Sequence, residues 1–293
     1  MFMIEFMQGF FMALADSVPG VSGGTVAFLL GFYDKFIVAL DNLFSKSKKN
    51  RNAAIIYLSK LGVGWIVGFG LAIIVLSNIF ENNIYIISSV FLGFIIFAIP
   101  IVVKEERSNI SGHYINIIYT IIGVLVVGGI TYFNPIAGTG ITINLSSLNL
   151  GLMIYIFLSG AIAISAMVLP GISGSTLLLI FGLYIPIINA IKEVITLNFR
   201  YLPLLIVFGL GVIIGIVTVV KLIKILLERF RSQIIFLIIG LMIGSLYAIV
   251  MGPTTLEVPL DYLTWDRFSI VGFIIGGIII IAMQQIKSRR YKN

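Results

Sequence analysis

The chain has 293 residues, of which 59% are hydrophobic and 11% are charged, and its mean hydropathy is +1.14. A soluble domain of this size has no means of burying so much apolar surface, so the composition predicts an all-α polytopic membrane protein. The net charge of +7 lies mostly in short loops, which is typical of orientation signals and argues against nucleic acid as a partner. Because the chain contains no cysteine, it offers no disulfide and no thiolate ligand, and we expect neither a metal nor another cofactor.

The first predicted element is a pair of apolar segments, at 1–15 and 26–40, on either side of a Pro-Gly break. As helices they are each about 22 Å long, whereas the hydrocarbon core of a bilayer is about 30 Å thick. Pro19 interrupts a helix, and Gly20 permits backbone angles that other residues avoid. We therefore expect residues 1–40 to form a re-entrant hairpin, with one long kinked span as the alternative.

The later apolar segments suit six crossing spans and a second re-entrant hairpin. The predicted spans are 55–78, 84–103, 114–133, 202–220, 232–251 and 268–286, and the second hairpin is 150–191. This arrangement places every strongly basic loop on one side of the membrane, which predicts that both termini are cytoplasmic. The basic segments are 41–51, 104–107, 221–231 and 287–292.

The chain also repeats itself. Residues 16–25 read DSVPGVSGGT, and residues 167–176 read MVLPGISGST in the same order. A glycine pattern at 62, 64 and 68 recurs at 209, 211 and 215. The two halves, 1–135 and 150–287, would each hold a hairpin and three crossings. Since three is an odd number, we expect inverted-topology repeats, an architecture typical of secondary transporters.

After each break, the motif supplies groups that attract anions. Ser22 and Ser173 stand at N-cap positions, and the following residues offer backbone N–H groups at a helix N-terminus with partial positive charge. We expect a phosphate-bearing ligand between the two motifs. The expected contacts are Ser22, Gly23, Gly24, Thr25, Ser173, Gly174, Ser175 and Thr176, and the hairpin-breaking residues are Pro19, Gly20, Pro170 and Gly171. Close helix packing is the alternative for small residues, and it suits the later glycine patterns.

Three charged residues inside apolar segments are further candidates. Asp16 corresponds to Met167 in the second motif, and it is either a group that couples a proton or cation to transport or an anchor for the broken backbone. Glu5 precedes Asp16 by about three helical turns, so the two acids form a candidate relay unless Glu5 lies among headgroups. Lys60 is a candidate gate contact for phosphate, with extension of its side chain to the interface as the alternative.

With these motifs identified, the sequence resembles the polyprenyl-phosphate transporter family over nearly its whole length. The resemblance rests on residues 15–25, 31–33 and 166–176. It implies a translocase in the bacterial cytoplasmic membrane that returns undecaprenyl phosphate, the carrier lipid of cell-wall synthesis, from the outer to the inner leaflet. Membrane lipids are then partners as well. The sequence does not fix the oligomeric state, and a homodimer stays open.

Two other functions remain open on sequence grounds. An intramembrane undecaprenyl-pyrophosphate phosphatase would need several acids, cations or a metal around the phosphates, whereas Asp16 is the one acid within either motif. A transporter of small soluble anions would use the same helix ends. A lateral opening for the lipid tail distinguishes the lipid transporter from this second alternative.

Overall fold

The computed structural model describes residues 2–16, 22–137, 150–172, 174–195, 197–255 and 260–290. These ranges contain helices and no strand. The prediction of an all-α polytopic membrane protein is therefore confirmed. The helices are α1 Phe2–Asp16, α2 Gly23–Leu29, α3 Tyr33–Asn42, α4 Lys48–Glu105, α5 Arg107–Ile110, α6 Ile117–Ala137, α7 Leu150–Val168, α8 Gly174–Ile180, α9 Tyr184–Ile195, α10 Leu202–Arg229, α11 Arg231–Met251 and α12 Ile270–Arg290.

Six stretches of the described residues are long and apolar enough to cross a membrane. They are Lys48–Leu71, Asn83–Glu105, Tyr114–Tyr132, Leu150–Val168, Phe199–Arg229 and Arg231–Thr254. The first two belong to α4, which bends at Asn83, where the backbone angles are not helical. Five stretches overlap predicted spans.

The remaining predicted span and one hairpin arm differ from this pattern. We expected Leu150–Val168 to be an arm of the second hairpin, but its 19 residues also have the length and composition of a full crossing. Conversely, the predicted span 268–286 falls on α12, whose described apolar part, Ile270–Ala282, is shorter. Length and hydropathy alone therefore do not separate an arm from a span at these two positions.

The returning arm of the first hairpin contains a break that we did not predict. The apolar segment 26–40 is divided into α2 and α3, which are bent by 119° relative to each other. Gly31 lies at this bend with φ of 69°, and Gly182 lies between α8 and α9 with φ of 65°. Glycine adopts such angles without strain, whereas a β-carbon disfavours them. An uninterrupted apolar run conceals a turn that depends on one glycine.

The two halves pack their first helices through corresponding glycines. Gly64 of α4 lies against the carbonyl oxygen of Phe6, and Gly211 of α10 lies against that of Phe157. A β-carbon at either glycine would overlap the oxygen, so the close crossing requires glycine. The other corresponding contacts are Gly9–Leu61 with Gly160–Phe208, and Gly68–Phe10 with Gly215–Ala161. The interpretation of the two glycine patterns as packing positions is confirmed for Gly64, Gly68, Gly211 and Gly215, whereas no atom lies within 4 Å of a β-carbon at Gly62 or Gly209.

The third predicted span of each half packs against the other half. Two close backbone contacts join α6 to α11, and two more join α12 to the second part of α4. They are Gly123–Leu237, Gly240–Thr120, Gly276–Val90 and Gly93–Phe273. The predicted halves 1–135 and 150–287 therefore exchange their last helices in the bundle. Their opposed orientation across the membrane stays a prediction.

Candidate functional site

The two Pro-Gly motifs meet in the interior of the bundle. The backbone N–H of Gly171 donates to Thr25 Oγ1 at 2.7 Å, and the Tyr33 hydroxyl donates to the carbonyl oxygen of Val168 at 3.2 Å. Thr25 is 1% exposed and Tyr33 is 2% exposed, so these hydrogen bonds are shielded from solvent. Because the partners lie more than 130 positions apart in the chain, only the tertiary fold brings them together. We call these contacts the motif junction.

Ser22 begins α2 and also faces the second motif. Its backbone is extended, and its Oγ accepts a hydrogen bond from the N–H of Thr25 at 3.3 Å, as the predicted N-cap should. The same hydroxyl lies 3.2 Å from the Thr25 hydroxyl and donates to the carbonyl oxygen of Leu169 at 3.4 Å. Every residue of α2 is buried. The Ser22 hydroxyl is thus satisfied within the protein rather than by water.

Asp16 closes the break between α1 and α2. Its Oδ1 accepts a hydrogen bond from the N–H of Gly23 at 2.6 Å, and its Oδ2 accepts one from Trp65 Nε1 at 3.0 Å. A β-carbon on Gly23 would lie 2.7 Å from Oδ2, so glycine permits the carboxylate to approach this closely. The carboxylate of Asp16 therefore occupies the anion position at the start of α2 that we predicted for a phosphate.

The corresponding region of the second motif carries no acid. Met167 takes the place of Asp16, and Val212 takes the place of Trp65 on α10. A β-carbon on Gly174 would lie 3.2 Å from the Met167 β-carbon and 2.8 Å from a carbonyl oxygen of α7. The close approach of the two helices is thus repeated, whereas the hydrogen bonds to a carboxylate are not.

The predicted phosphate contacts are only partly placed. Ser22 and Thr25 lie at the motif junction, and a β-carbon on Gly24 would come 2.9 Å from the carbonyl oxygen of Val168. Pro170 and Gly171 are buried beside them. Predicted residues that lie outside the described part of the chain are Pro19, Gly20, Ser173 and the side chains of Ser175 and Thr176.

The other two charged candidates lie away from the motif junction. Glu5 pairs with Lys35 at 3.6 Å, and the described residues show no contact between Glu5 and Asp16. The two acids are about 16 Å apart along α1 by helix rise, so a direct relay gains no support. Lys60 is partly exposed on α4, and no ion pair is found for it within the described ranges.

The structure also shows ion pairs that sequence reasoning missed, at the ends predicted to be cytoplasmic. Arg231 contacts Glu106 at 2.7 Å and Asp34 at 2.9 Å, and Lys224 contacts Asp41 at 2.7 Å. The two acids of α3 are seven residues apart and lie near one face of that helix, while their basic partners belong to α10 and α11. We call Asp34–Arg231 and Asp41–Lys224 the α3 ion pairs. They join the first hairpin to the second half.

A cleft of about 170 Å³ opens beside Arg231. Its lining consists of Phe28, Gly31, Tyr33, Asp34, Val102, Glu105, Glu106 and Arg231. Three carboxylates face one guanidinium there, so the cleft is not complementary to a phosphate in this conformation. Its lining includes Tyr33, which reaches the motif junction, and Asp34 and Arg231 of the α3 ion pairs.

Together, the repeated halves and the interrupted helices that meet in the interior define a polytopic membrane protein with features of secondary transporters. Residues 12–267 match the family described as "Undecaprenyl phosphate translocase-like", and the chain belongs to that family. It is 36% identical to a Polyprenyl-phosphate transporter of Staphylococcus aureus, over 97% of this chain and 96% of that protein. It is also 31% identical to a Polyprenyl-phosphate transporter of Vibrio cholerae, over 84% of this chain and 76% of that protein. No solved structure matches this chain significantly.

Proposed function

We propose that this protein transports a polyprenyl phosphate, returning undecaprenyl phosphate from the outer to the inner leaflet of a bacterial cytoplasmic membrane. The observation that carries the proposal is the motif junction, where Ser22, Thr25 and Tyr33 contact backbone groups of the second motif. Non-helical backbone at membrane depth is tolerated only where it is buried in protein or lines a cavity, and polar groups there commonly mark a substrate path. The names of both relatives support the same substrate and a transport role without catalysis.

In the described conformation, protein groups occupy the donors that a phosphate would use. Gly23 donates its N–H to Asp16, and Ser22 donates its hydroxyl to Leu169. A phosphate monoester carries between one and two negative charges and three strong acceptor oxygens. On binding, it would replace the Asp16 carboxylate and the Leu169 carbonyl as acceptors. Ser173, Gly174, Ser175 and Thr176 would complete the site from the second half.

Asp16 gives this exchange a link to protons. The Asp16 carboxylate and a phosphate would repel each other at the start of α2, so the two do not occupy that position together while both are negatively charged. A proton on Asp16 would remove that charge and weaken its hydrogen bond to Gly23, because charge-assisted hydrogen bonds are about twice as strong as neutral ones. The incoming proton would also offset the electrical cost of moving one negative charge inward, which is about 2.3 kcal/mol per 100 mV of membrane potential.

The test is a leaflet assay with undecaprenyl phosphate in proteoliposomes. We expect wild-type protein to move the lipid and a protein with Ser22→Ala and Ser173→Ala to move it at least about tenfold more slowly, since each hydroxyl would bond a charged oxygen. Ser245→Ala is the matched control. Ser245 is also buried, but its hydroxyl donates to Met242 within α11, away from the junction.

The same assay separates the alternatives. A wild-type protein that moves no undecaprenyl phosphate would contradict the proposed function, and unchanged transport in the double serine variant would contradict the proposed site. Release of inorganic phosphate from undecaprenyl pyrophosphate would favour a phosphatase. Uptake of free inorganic phosphate into the liposome lumen, at the same rate as the movement of undecaprenyl phosphate, would favour a transporter of soluble anions.

A further inference from the structure

Three buried side-chain oxygens without hydrogen-bond partners lie on α1 and α4. They are Glu5 Oε2, Gln8 Oε1 and the Tyr57 hydroxyl. Glu5 is 4% exposed and Tyr57 is 7% exposed, so water does not replace the missing partners from the surface. Glu5 and Gln8 are three residues apart and share a face of α1. Because buried polar atoms are nearly always paired, this group indicates a ligand that binds among them.

Lys35 of α3 contacts two of these side chains. Its ammonium lies 3.6 Å from Glu5 Oε1 and 4.2 Å from the centre of the Tyr57 ring, which makes Glu5 and Tyr57 neighbours. The Lys35 side chain is 53% exposed, whereas that of Glu5 is 5% exposed. The ammonium is too far from Glu5 Oε1 for a good hydrogen bond. Lys35 thus balances the charge of Glu5 without satisfying its second oxygen.

We infer that Glu5, Gln8 and Tyr57 form a binding site for a monovalent cation, either a sodium ion or a proton, and that Lys35 competes for it. Oxygen atoms are the ligands that hard cations prefer, and this group supplies a carboxylate, an amide carbonyl and a hydroxyl. One carboxylate matches one positive charge once Lys35 withdraws. The other charged groups nearby are Asp34, beside Lys35 on α3, and Lys60, one turn beyond Tyr57 on α4.

The position of Lys35 links this cation site to the α3 ion pairs. Lys35 follows Asp34, whose carboxylate contacts Arg231 in the α3 ion pairs. A movement of α3 that separates Asp34 from Arg231 would also withdraw Lys35 from Glu5 and admit the cation. Cation binding by itself is independent of the proposed function. The coupling of this binding to lipid movement rests on the proposed function.

The binding test uses the full chain in lipid nanodiscs and measures melting temperature. Sodium replaces choline at constant ionic strength in one series, and the pH is varied without sodium in another. Glu5→Gln removes the carboxylate charge, Lys35→Gln removes the competitor, and Lys60→Gln is the control for loss of a lysine. We expect the wild type to respond to sodium or to pH, Glu5→Gln to lose the response, and Lys60→Gln to keep it.

The Lys35→Gln variant distinguishes a binding site from a structural ion pair. Without the competing ammonium, sodium should bind at least about tenfold more tightly, or the midpoint of the pH response should move to higher pH. A sodium response identifies sodium as the ligand, and a pH response without sodium identifies the proton. A wild type that responds to neither, a response that survives Glu5→Gln, or a Lys35→Gln variant without the shift would overturn the inference.

Coupling is tested in the leaflet assay under an imposed sodium or pH gradient. Wild-type transport should respond to the gradient of the identified cation, whereas Glu5→Gln should lose the response to sodium or, for the proton, keep only the part that Asp16 provides. If the wild type binds the cation but moves no lipid, the proposed function fails and the cation site stands. If lipid moves with an equal gradient response in Glu5→Gln, the coupling through this site is wrong.

Discussion

The two Pro-Gly motifs share a backbone plan but contribute different chemistry. In the first motif, the Asp16 carboxylate holds Gly23 and Trp65, whereas Met167 stands at the corresponding position of the second. At the motif junction, Ser22, Thr25 and Tyr33 supply side-chain hydroxyls, and the second motif supplies backbone N–H and carbonyl groups. Close packing thus constrains the backbone in both halves, while the side-chain hydroxyls found at the junction among the described residues belong to the first. We therefore expect the halves to respond differently to substitution.

The largest effect should come from the backbone of the second motif. Gly171 has φ of 91°, and a β-carbon there would lie 2.7 Å from the Leu241 carbonyl carbon. Gly171→Ala should therefore destabilise the protein by about 3 kcal/mol or more, through strain and overlap with backbone atoms. Melting of purified protein in detergent measures this. Gly62→Ala is the control, since no atom lies within 4 Å of a β-carbon at Gly62. Equal melting of the two variants would contradict the assignment.

The next effect should come from the acid that distinguishes the first motif. Asp16→Asn keeps an acceptor for Gly23 but removes the charge, so we expect a folded protein whose lipid transport falls at least about tenfold and loses its pH dependence. Asp16→Ala should also cost about 1–3 kcal/mol of stability, because the Gly23 N–H is left buried without a partner. Transport rate and melting temperature separate these outcomes.

Met167→Leu is the control for Asp16 at the corresponding position. It changes an apolar side chain to another of similar volume, so transport should stay near the wild-type rate. A loss of transport in Met167→Leu as large as in Asp16→Asn would show that the two motifs contribute equally. That result would remove the functional difference between the halves.

A smaller effect is expected from Thr25, which joins the motifs by one hydroxyl. Thr25→Val keeps the shape but removes the acceptor for the Gly171 N–H, so it should cost about 1–3 kcal/mol. Thr25→Ser keeps the hydroxyl and should recover most of that stability. Melting temperatures of both variants give the comparison. Equal destabilisation by Val and Ser would mean that the methyl group, rather than the hydrogen bond, matters.

The smallest effect is expected at the α3 ion pairs. Asp34 has 53% of its side chain exposed, so Asp34→Asn should change stability by less than about 1 kcal/mol, and by less still at high salt. Melting at low and high ionic strength measures this. A large loss of stability that persists in high salt would mean that the Asp34 ion pair contributes as much stability as a hydrogen bond of the buried motif junction, contrary to our inference.

Several features of the site could be predicted from local sequence. Ser22 is an N-cap because its hydroxyl reaches an N–H three residues later, a relation that the sequence order alone defines. The glycines at 64 and 211 were recognised as packing positions by their spacing. The bend at Gly31 was missed, since a single glycine inside an apolar run is no more typical of a turn than of a helix contact. Trp65 was missed because nothing in its neighbourhood indicates that its N–H reaches Asp16.

Composition by itself determined the class of protein, because 59% hydrophobic residues require a bilayer as solvent, and the recurrence of the Pro-Gly motifs determined where α1 and α7 end. Only the tertiary structure decided which groups fill the donors of the first motif and how the third helices are exchanged between the halves. Those features depend on residues far apart in the chain, such as Ser22 and Leu169 at 147 positions, whose meeting is set by the packing of the whole bundle.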